Sequence, residues 1–300
     1  MLDRAGLAAL GVDDTVIATR GTLDGVDALA FLARLPELAA RWERHFGLSG
    51  GQVMPGGALS AVLACERLSD GRAVVLKLSA PHAQSALAEG AALAAWGGVG
   101  ACELLACDDH GEALVLERIE PGAAVEPGDD QRDARAAAEL LALLHRRTVA
   151  PGGDIPDAAT ALAWRFGRAH RWLDEGRAVA AVTRAELDEA VRNAGELQQG
   201  ADRALCHGDF LDKNILLDRH GRWRAIDPMP CIGDSCLDAA FWALHHRPGV
   251  EVRERCDLVA GAAGLDRRRV WRWARAFAAS EAALDIGPGR ADGHLRTLRA

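Results

Sequence analysis

The sequence predicts an α+β chain of two lobes: a small antiparallel-sheet lobe carrying one prominent helix, then a larger, mainly helical lobe. Three observations carry this. Before residue 120, apolar β-runs come in two hairpin-like pairs around a single helical segment. After Pro121-Gly122 helical periodicity dominates, and one pair of short β-runs around residues 214–227 interrupts it. The boundary divides residues 1–120 from residues 121–300. Nearly half of the 300 residues are apolar (49%), so a sizeable core can be buried.

Taken in order, residues 27–46 (DALAFLARLPELAARWERHF) have helical spacing. Pro36 is expected to interrupt them, because an interior proline removes a hydrogen bond and crowds the preceding turn. Next, VMPGGALSAVLACERLSDGRAVVLKLS reads as two strands joined at Ser69-Asp70-Gly71. Residues 82–96 form a helix that stops at Gly97-Gly98, and residues 102–107 and 113–119 form a second strand pair. The helical half comprises 130–148, 157–176 and 183–199, with further helices after residue 230, 270–286 among them.

Composition excludes several function classes. The formal net charge of -8 disfavours nucleic acid and anionic membrane as main partners. No apolar run approaches the roughly 18 residues that span a bilayer. The opening MLDRAGLAALGVDDTVIATRG lacks the basic-then-apolar order of a secretory signal, so a soluble cytoplasmic protein, monomer or homodimer, is expected. Seven dispersed cysteines read as reduced structural thiols. The spacings of Cys102/Cys107 and Cys231/Cys236 are wider than CxxC, and no histidine cluster completes a zinc site. Positive charge is almost all arginine; Lys77 and Lys213 are the only lysines.

The densest chemistry lies in LCHGDFLDKNILLDRHGRWRAIDPMP, residues 205–230. Asp209 is followed five residues later by Asn214, then by a strand, a tight turn and a second strand ending at Asp227. Asp-x-x-x-x-Asn followed by a later Asp is also the spacing of protein-kinase catalytic loops. Phosphoryl transfer needs positioning and charge neutralisation more than covalent chemistry. Asp209 on a loop would orient an acceptor hydroxyl and take its proton. Asn214 and Asp227, side by side at the open end of a hairpin, would offer oxygen ligands to Mg²⁺. His207 would buttress the loop.

Such chemistry also requires a cation for the nucleotide phosphates. Lys77 sits inside an apolar strand, Val74-Val75-Leu76-Lys77-Leu78, where a charge is costly unless paired. Glu89 on the following helix is the expected partner, with Gln84 and Glu103 as competitors. The turn containing Gly56, Gly57 and Ser60 stands where a loop covering ATP or GTP belongs; it is not a Walker A sequence. The backbone from Glu117 to Ile119 would meet the nucleobase edge.

On these segments (AVVLKLS, AALAAWGGVGACELLACDDHGEALVLERIEPG, LCHGDFLDKNILL and WRAIDPMPCIGDSCLDAAFWAL) the chain resembles the aminoglycoside phosphotransferases, and within them the streptomycin 6-phosphotransferase (aminoglycoside/hydroxyurea) group. The resemblance implies a bilobal protein-kinase-like fold and transfer of a γ-phosphate to a hydroxyl of a small cationic acceptor, streptomycin first. It also implies Lys77 on the α/β-phosphates, Asp209 as base, Asn214 and Asp227 on Mg²⁺, and Asp238 supporting the catalytic loop. Asp238 reads equally well as a carboxylate favoured by a helix N-terminus. The loop departs from relatives in Asp212-Lys213, which places Asp212 beside the acceptor. Glu281 and Asp285, on one face of the 270–286 helix, would receive an amine or guanidinium. Two other readings stay open: a kinase for another metabolite or a peptide antibiotic, and a non-catalytic nucleotide-binding regulator. A protein kinase is disfavoured, because no Asp-Phe-Gly is present and little chain separates Asp227 from the next helix.

Overall fold

The computed structural model describes residues 3–13, 17, 26–54, 60–79, 86–147, 153–178, 180–247, 251–285 and 288–300. The chain forms two compact units, Met1–Gly98 with Cys102–Ile119, and Val99–Ala101 with Glu120–Ala300.

The first unit is built on a five-stranded antiparallel sheet. Its strands are β1 (Leu48–Val53), β2 (Ser60–Arg67), β3 (Ala73–Ser79), β4 (Leu104–Cys107) and β5 (Ala113–Glu117), in the order β1-β2-β3-β5-β4. Successive side chains of a strand point to opposite faces. Val74, Leu76 and Leu78 of β3 therefore share one face, packed in a core with Leu63, Val115, Phe31, Leu32, Leu35 and Trp42. The last four lie on α2 (Val26–Phe46), which follows the short α1 (Arg4–Ala9).

Helix α2 continues through Pro36, which corrects the expected interruption. Its apolar stripe is buried on both sides of the proline, with Phe31, Leu32 and Leu35 before it and Ala39 and Trp42 after. Packing of that stripe outweighs one lost backbone hydrogen bond. Strand β1 was not expected, since Gly50-Gly51 lowers its intrinsic β-propensity. It forms because β2 pairs with it across a bulge between Ser49 and Gln52, while the Gly51 amide donates to Glu43 Oε1 at 2.9 Å.

The second unit is helical around α9 (Arg267–Leu284). Against α9 pack α5 (Ala158–Asp174), α6 (Arg184–Gln198), α7 (Cys236–His245), α8 (Val252–Ala263) and α10 (Pro288–Arg299), while α4 (Asp130–His145) packs on α8. Alanine at 274, 276, 278, 279, 282 and 283 is buried along α9, so neighbouring helices can approach closely. Trp242 and Trp273 are fully buried core residues. Short strands supply the scaffold of the loop at residues 207–214: β6 (Pro121–Ala124), β8 (Ile215–Asp218) and β9 (Trp223–Ala225) form one antiparallel sheet, and β7 (Ala204–Cys206) pairs with β10 (Cys231–Gly233). All seven cysteines are free thiols, six of them buried. No helix among the described residues is long and apolar enough to cross a membrane.

Candidate active site

In the first unit, β3 pairs with β2 and β5 such that Lys77 lies opposite Val62 and Leu114. Alternation places its side chain on the face away from Leu76 and Leu78, toward α3 (Ala86–Trp96). There Lys77 Nζ donates to Glu89 Oε2 at 2.5 Å, with the two side chains only 8% and 7% exposed. Glu103, the competing carboxylate, instead lies 3.6 Å from Arg72. Breaking a buried pair leaves a charge without its counter-ion and costs about 3 kcal/mol or more. Glu89→Ala should therefore lower the stability of this unit by about 3 kcal/mol, read as a shift in urea midpoint. A midpoint equal to the parent's would mean the pair contributes nothing net.

In the second unit, the chain leaves β7 at Cys206 and enters the catalytic-type loop. Gly208 has φ of 76°, and a Cβ there would collide with the Met229 carbonyl, so the turn requires glycine. Asp238, in the first turn of α7, accepts from two loop amides: His207 N donates to Oδ2 at 2.7 Å and Gly208 N to Oδ1 at 2.8 Å. His145 Nε2 lies 2.9 Å from the same Oδ2. His145, Cys206 and Asp238 thus cluster within 4.8 Å of one another, with the carboxylate already engaged by protein donors.

His207 is fully buried and joins the two halves of the site. The Asp209 amide donates to its Nδ1 at 3.4 Å, so the proton belongs on Nε2, which donates to Ile226 O at 3.1 Å. Burial pushes its pKa below the ordinary value, against the opposing pull of Asp238, Asp209 and Asp227, and this suits the neutral tautomer.

Burial alone would raise the Asp238 carboxyl, but the His145 hydrogen bond and charge and the Gly208 amide outweigh it and hold it low. Both groups thus have depressed folded values. A depressed histidine loses its stabilising contribution as pH falls below about 6.5, and a depressed carboxylate as pH falls below about 4. The melting temperature should decline in two stages on acidification, and Asp238→Asn should make the lower stage shallower, the rest of that stage belonging to other depressed carboxylates such as Glu281. Melting profiles that run parallel below pH 4 would refute the assignment.

Asp209 itself is held at both oxygens. Asn214 Nδ2 donates to Oδ2 at 2.8 Å and to the Asp209 carbonyl at 2.9 Å. Arg165 of α5 donates from Nη2 to Oδ1 at 3.4 Å. With its amide hydrogens so used, Asn214 keeps its side-chain carbonyl oxygen for a ligand. Asn214 ends a 3-10 turn (Asp212–Asn214), and the Ile226 amide donates to its backbone carbonyl at 2.9 Å. The β8–β9 hairpin, in register Ile215 to Ala225, therefore delivers Asn214 and Asp227 to the same end. Asp227 adopts φ of 55°, a left-handed conformation that Asp tolerates better than most residues. A carbonyl oxygen and a carboxylate at one hairpin end form a hard-oxygen donor set that fits Mg²⁺.

The remaining sequence-predicted residues are placed as follows. The Asp212 carboxylate lies 3.0 Å from Nδ1 of His246, a buried residue stacked on Trp242, and His246 Nε2 lies 3.4 Å from Asp133. Glu281 accepts from Arg165 Nη1 at 2.8 Å and lies 3.4 Å from His245 Nε2. Burial would raise the Glu281 carboxyl, but the close approach of His245 and the Arg165 charge hold it well below the usual carboxylate range. Asp285 is paired with Arg290 at 3.0 Å and His294 at 3.5 Å. Ser60 opens β2 and is buried, Ile119 is buried, and Glu117 Oε2 accepts from the Glu103 amide at 3.1 Å. Gly56, Gly57 and Gln84 lie outside the described residues. Sequence reasoning did not single out Arg165, His245 or His246, whose partners lie 34 to 116 residues away along the chain.

Known proteins resemble this chain in sequence and in fold. Residues 47–287 match the family described as aminoglycoside/hydroxyurea antibiotic resistance kinase. A hydroxyurea phosphotransferase of Kitasatospora aureofaciens is 33% identical over 254 residues, covering 83% of this chain and 72% of that protein. A streptomycin 6-kinase of Streptomyces glaucescens is 30% identical over 304 residues, covering 93% and 92%. Among solved structures, a choline/ethanolamine kinase family protein from Mesorhizobium loti superposes with a TM-score of 0.58 at 19% identity, covering 90% of this chain and 92% of that one. A thermostable mutant of an aminoglycoside phosphotransferase in ternary complex with ADP and hygromycin B gives 0.54 at 14% identity, covering 86% and 97%. At those identities the structural likeness carries the fold. The sequence match carries more: the chain belongs to the aminoglycoside/hydroxyurea antibiotic resistance kinase family and is a nucleotide-dependent phosphotransferase of protein-kinase-like fold.

Proposed function

We propose that this chain moves the γ-phosphate of ATP or GTP to a hydroxyl of an antibiotic, with streptomycin and its 6-hydroxyl as the leading acceptor and Asp209 as the base. The observation that carries the reading is the Asp209 carboxylate, fixed at one oxygen by Asn214 and contacted at the other by Arg165 on a loop anchored by Asp238. In the transfer, the acceptor oxygen forms its bond to the γ-phosphorus as its proton passes to an Asp209 oxygen. The bond from phosphorus to the bridging oxygen breaks, and the nucleoside diphosphate leaves with that electron pair. Lys77, oriented by Glu89, serves the α/β-phosphates. Asn214 and Asp227 are the residues to hold Mg²⁺, which when bound neutralises charge on the phosphate oxygens. His207 and Asp238 keep the loop in shape without touching reactants.

A second acceptor, hydroxyurea, is favoured by a specific observation. Asp212, Glu281 and Asp285, the carboxylates expected to receive a cationic sugar, are each engaged by histidine or arginine of the chain itself. A small neutral acceptor does not need them. The relative at 33% identity carries that acceptor in its name.

The test is phosphate transfer from Mg·ATP and Mg·GTP to streptomycin, other aminoglycosides, tuberactinomycin peptides and hydroxyurea, with mass spectrometry of products. One phosphate gained by streptomycin supports the leading reading. Phosphate on hydroxyurea alone replaces it with the second. Transfer to none of them would redirect the search to a biosynthetic metabolite or to a non-catalytic regulator.

A further inference from the structure

Arg165 occupies a position that simple surface charge does not explain. It lies in the middle of α5, and its side chain is 11% exposed. The planar guanidinium reaches three acceptors at once: Nη1 donates to Glu281 Oε1 at 2.8 Å, and Nη2 to Gly208 O at 3.3 Å and Asp209 Oδ1 at 3.4 Å. Its face rests 4.4 Å from the centre of the Phe241 ring and 5.7 Å from that of Phe277. Glu281 is held from behind by His245, whose ring tilts against Phe241 at 4.5 Å and lies 5.2 Å from the His294 ring. Side chains from α5, α7, α9 and α10 thus converge to fix one cation against one carboxylate.

Resting on the reading of Asp209 as base, we propose that Arg165 is a positioning residue for phosphoryl transfer, held in place by Glu281 and His245. The torsion that turns an aspartate carboxylate is soft, so a single bond from Asn214 leaves the second oxygen free to swing. A guanidinium bonded both to Oδ1 and to the neighbouring Gly208 carbonyl locks the carboxylate plane to the loop backbone. Oδ1 has a second lone pair, so it can accept from Arg165 and from an incoming hydroxyl together. Lysine could not replace this arrangement, because one ammonium on a flexible stem lacks the planar fork. On this view Glu281 acts through Arg165 and has no direct contact with the acceptor.

The experiment compares Arg165→Lys, the double variant Arg165→Ala/Glu281→Gln and Asp209→Asn, using the acceptor turned over by the parent. The double variant removes both buried charges together, so neither is stranded. Arg165→Lys should lower kcat about 10-fold, and the double variant about 10²-fold, with KM for nucleotide and acceptor little changed. Added guanidinium, far below denaturing concentrations, should restore part of the kcat of the double variant and none of that of Asp209→Asn. Turnover in both Arg165 variants within about two-fold of the parent, with Asp209→Asn inactive, would overturn the positioning role alone. A rise confined to acceptor KM would instead make Arg165 an acceptor-binding residue and also overturn it. Parent-like turnover by Asp209→Asn would remove the underlying reading.

Discussion

Asp209→Asn should lower kcat by at least about 10²-fold while leaving the melting temperature within a few degrees of the parent's. General-base contributions fall at about 10²–10⁴-fold. The substitution is close to isosteric, and the new side-chain oxygen can still accept from Asn214 or Arg165, whose donors now sit at 2.8 Å and 3.4 Å. What disappears is the capacity to take a proton. Nucleotide affinity should survive, because the residues proposed to serve the nucleotide, Lys77 and Glu89, are untouched. Steady-state kinetics alongside a melting curve separates the outcomes: full turnover in a folded variant would move the base elsewhere, whereas loss of folding would show the carboxylate to be structural.

Which parts of this site could be read beforehand depends on how local their causes are. That Asn214 and Asp227 meet at one hairpin end was legible because the spacing from Asp209 to Asn214 is short and the hairpin that returns to Asp227 is built from adjacent strands. Lys77 stood out because lysine is so rare in this chain and because strand alternation puts a charge where only pairing makes it tolerable. Arginine, by contrast, is so abundant that Arg165 carried no contrast. Its meaning comes from Glu281, which lies 116 residues later on a different helix. The same holds for Asp212: nothing local announces that the 3-10 turn will aim it at His246, 34 residues downstream. Pro36 shows the converse error, a strong local rule overridden by burial of an apolar stripe around it. Backbone pairing, strand alternation and short motifs are written in neighbouring residues. The ion-pair partners of carboxylates are set by helix packing, which the periodicity of any single helix does not encode.

Asp227 is one of the two residues proposed to hold Mg²⁺. Asp227→Asn should lower turnover by about 10³-fold and raise the Mg²⁺ concentration needed for half-maximal rate. Several kcal/mol of transition-state charge stabilisation at about 1.4 kcal/mol per decade gives that scale. Asparagine is the informative replacement because Asp227 sits at φ of 55°. Asn tolerates this left-handed conformation, whereas Ala would add backbone strain to the loss of charge. The Ile226 carbonyl should still accept from His207 Nε2, so the loop keeps its tie to the hairpin. A Mg²⁺ titration of the folded variant therefore isolates the carboxylate. If the rate and the metal dependence both stay at parental values, Asp227 is a turn residue stabilised by its neighbours, and Asn214 must find its partner oxygen elsewhere. If the rate falls but extra Mg²⁺ recovers a substantial part of it, the residue acts by binding the metal. A rate that falls and ignores added Mg²⁺ would place the carboxylate in direct service of the reacting phosphate.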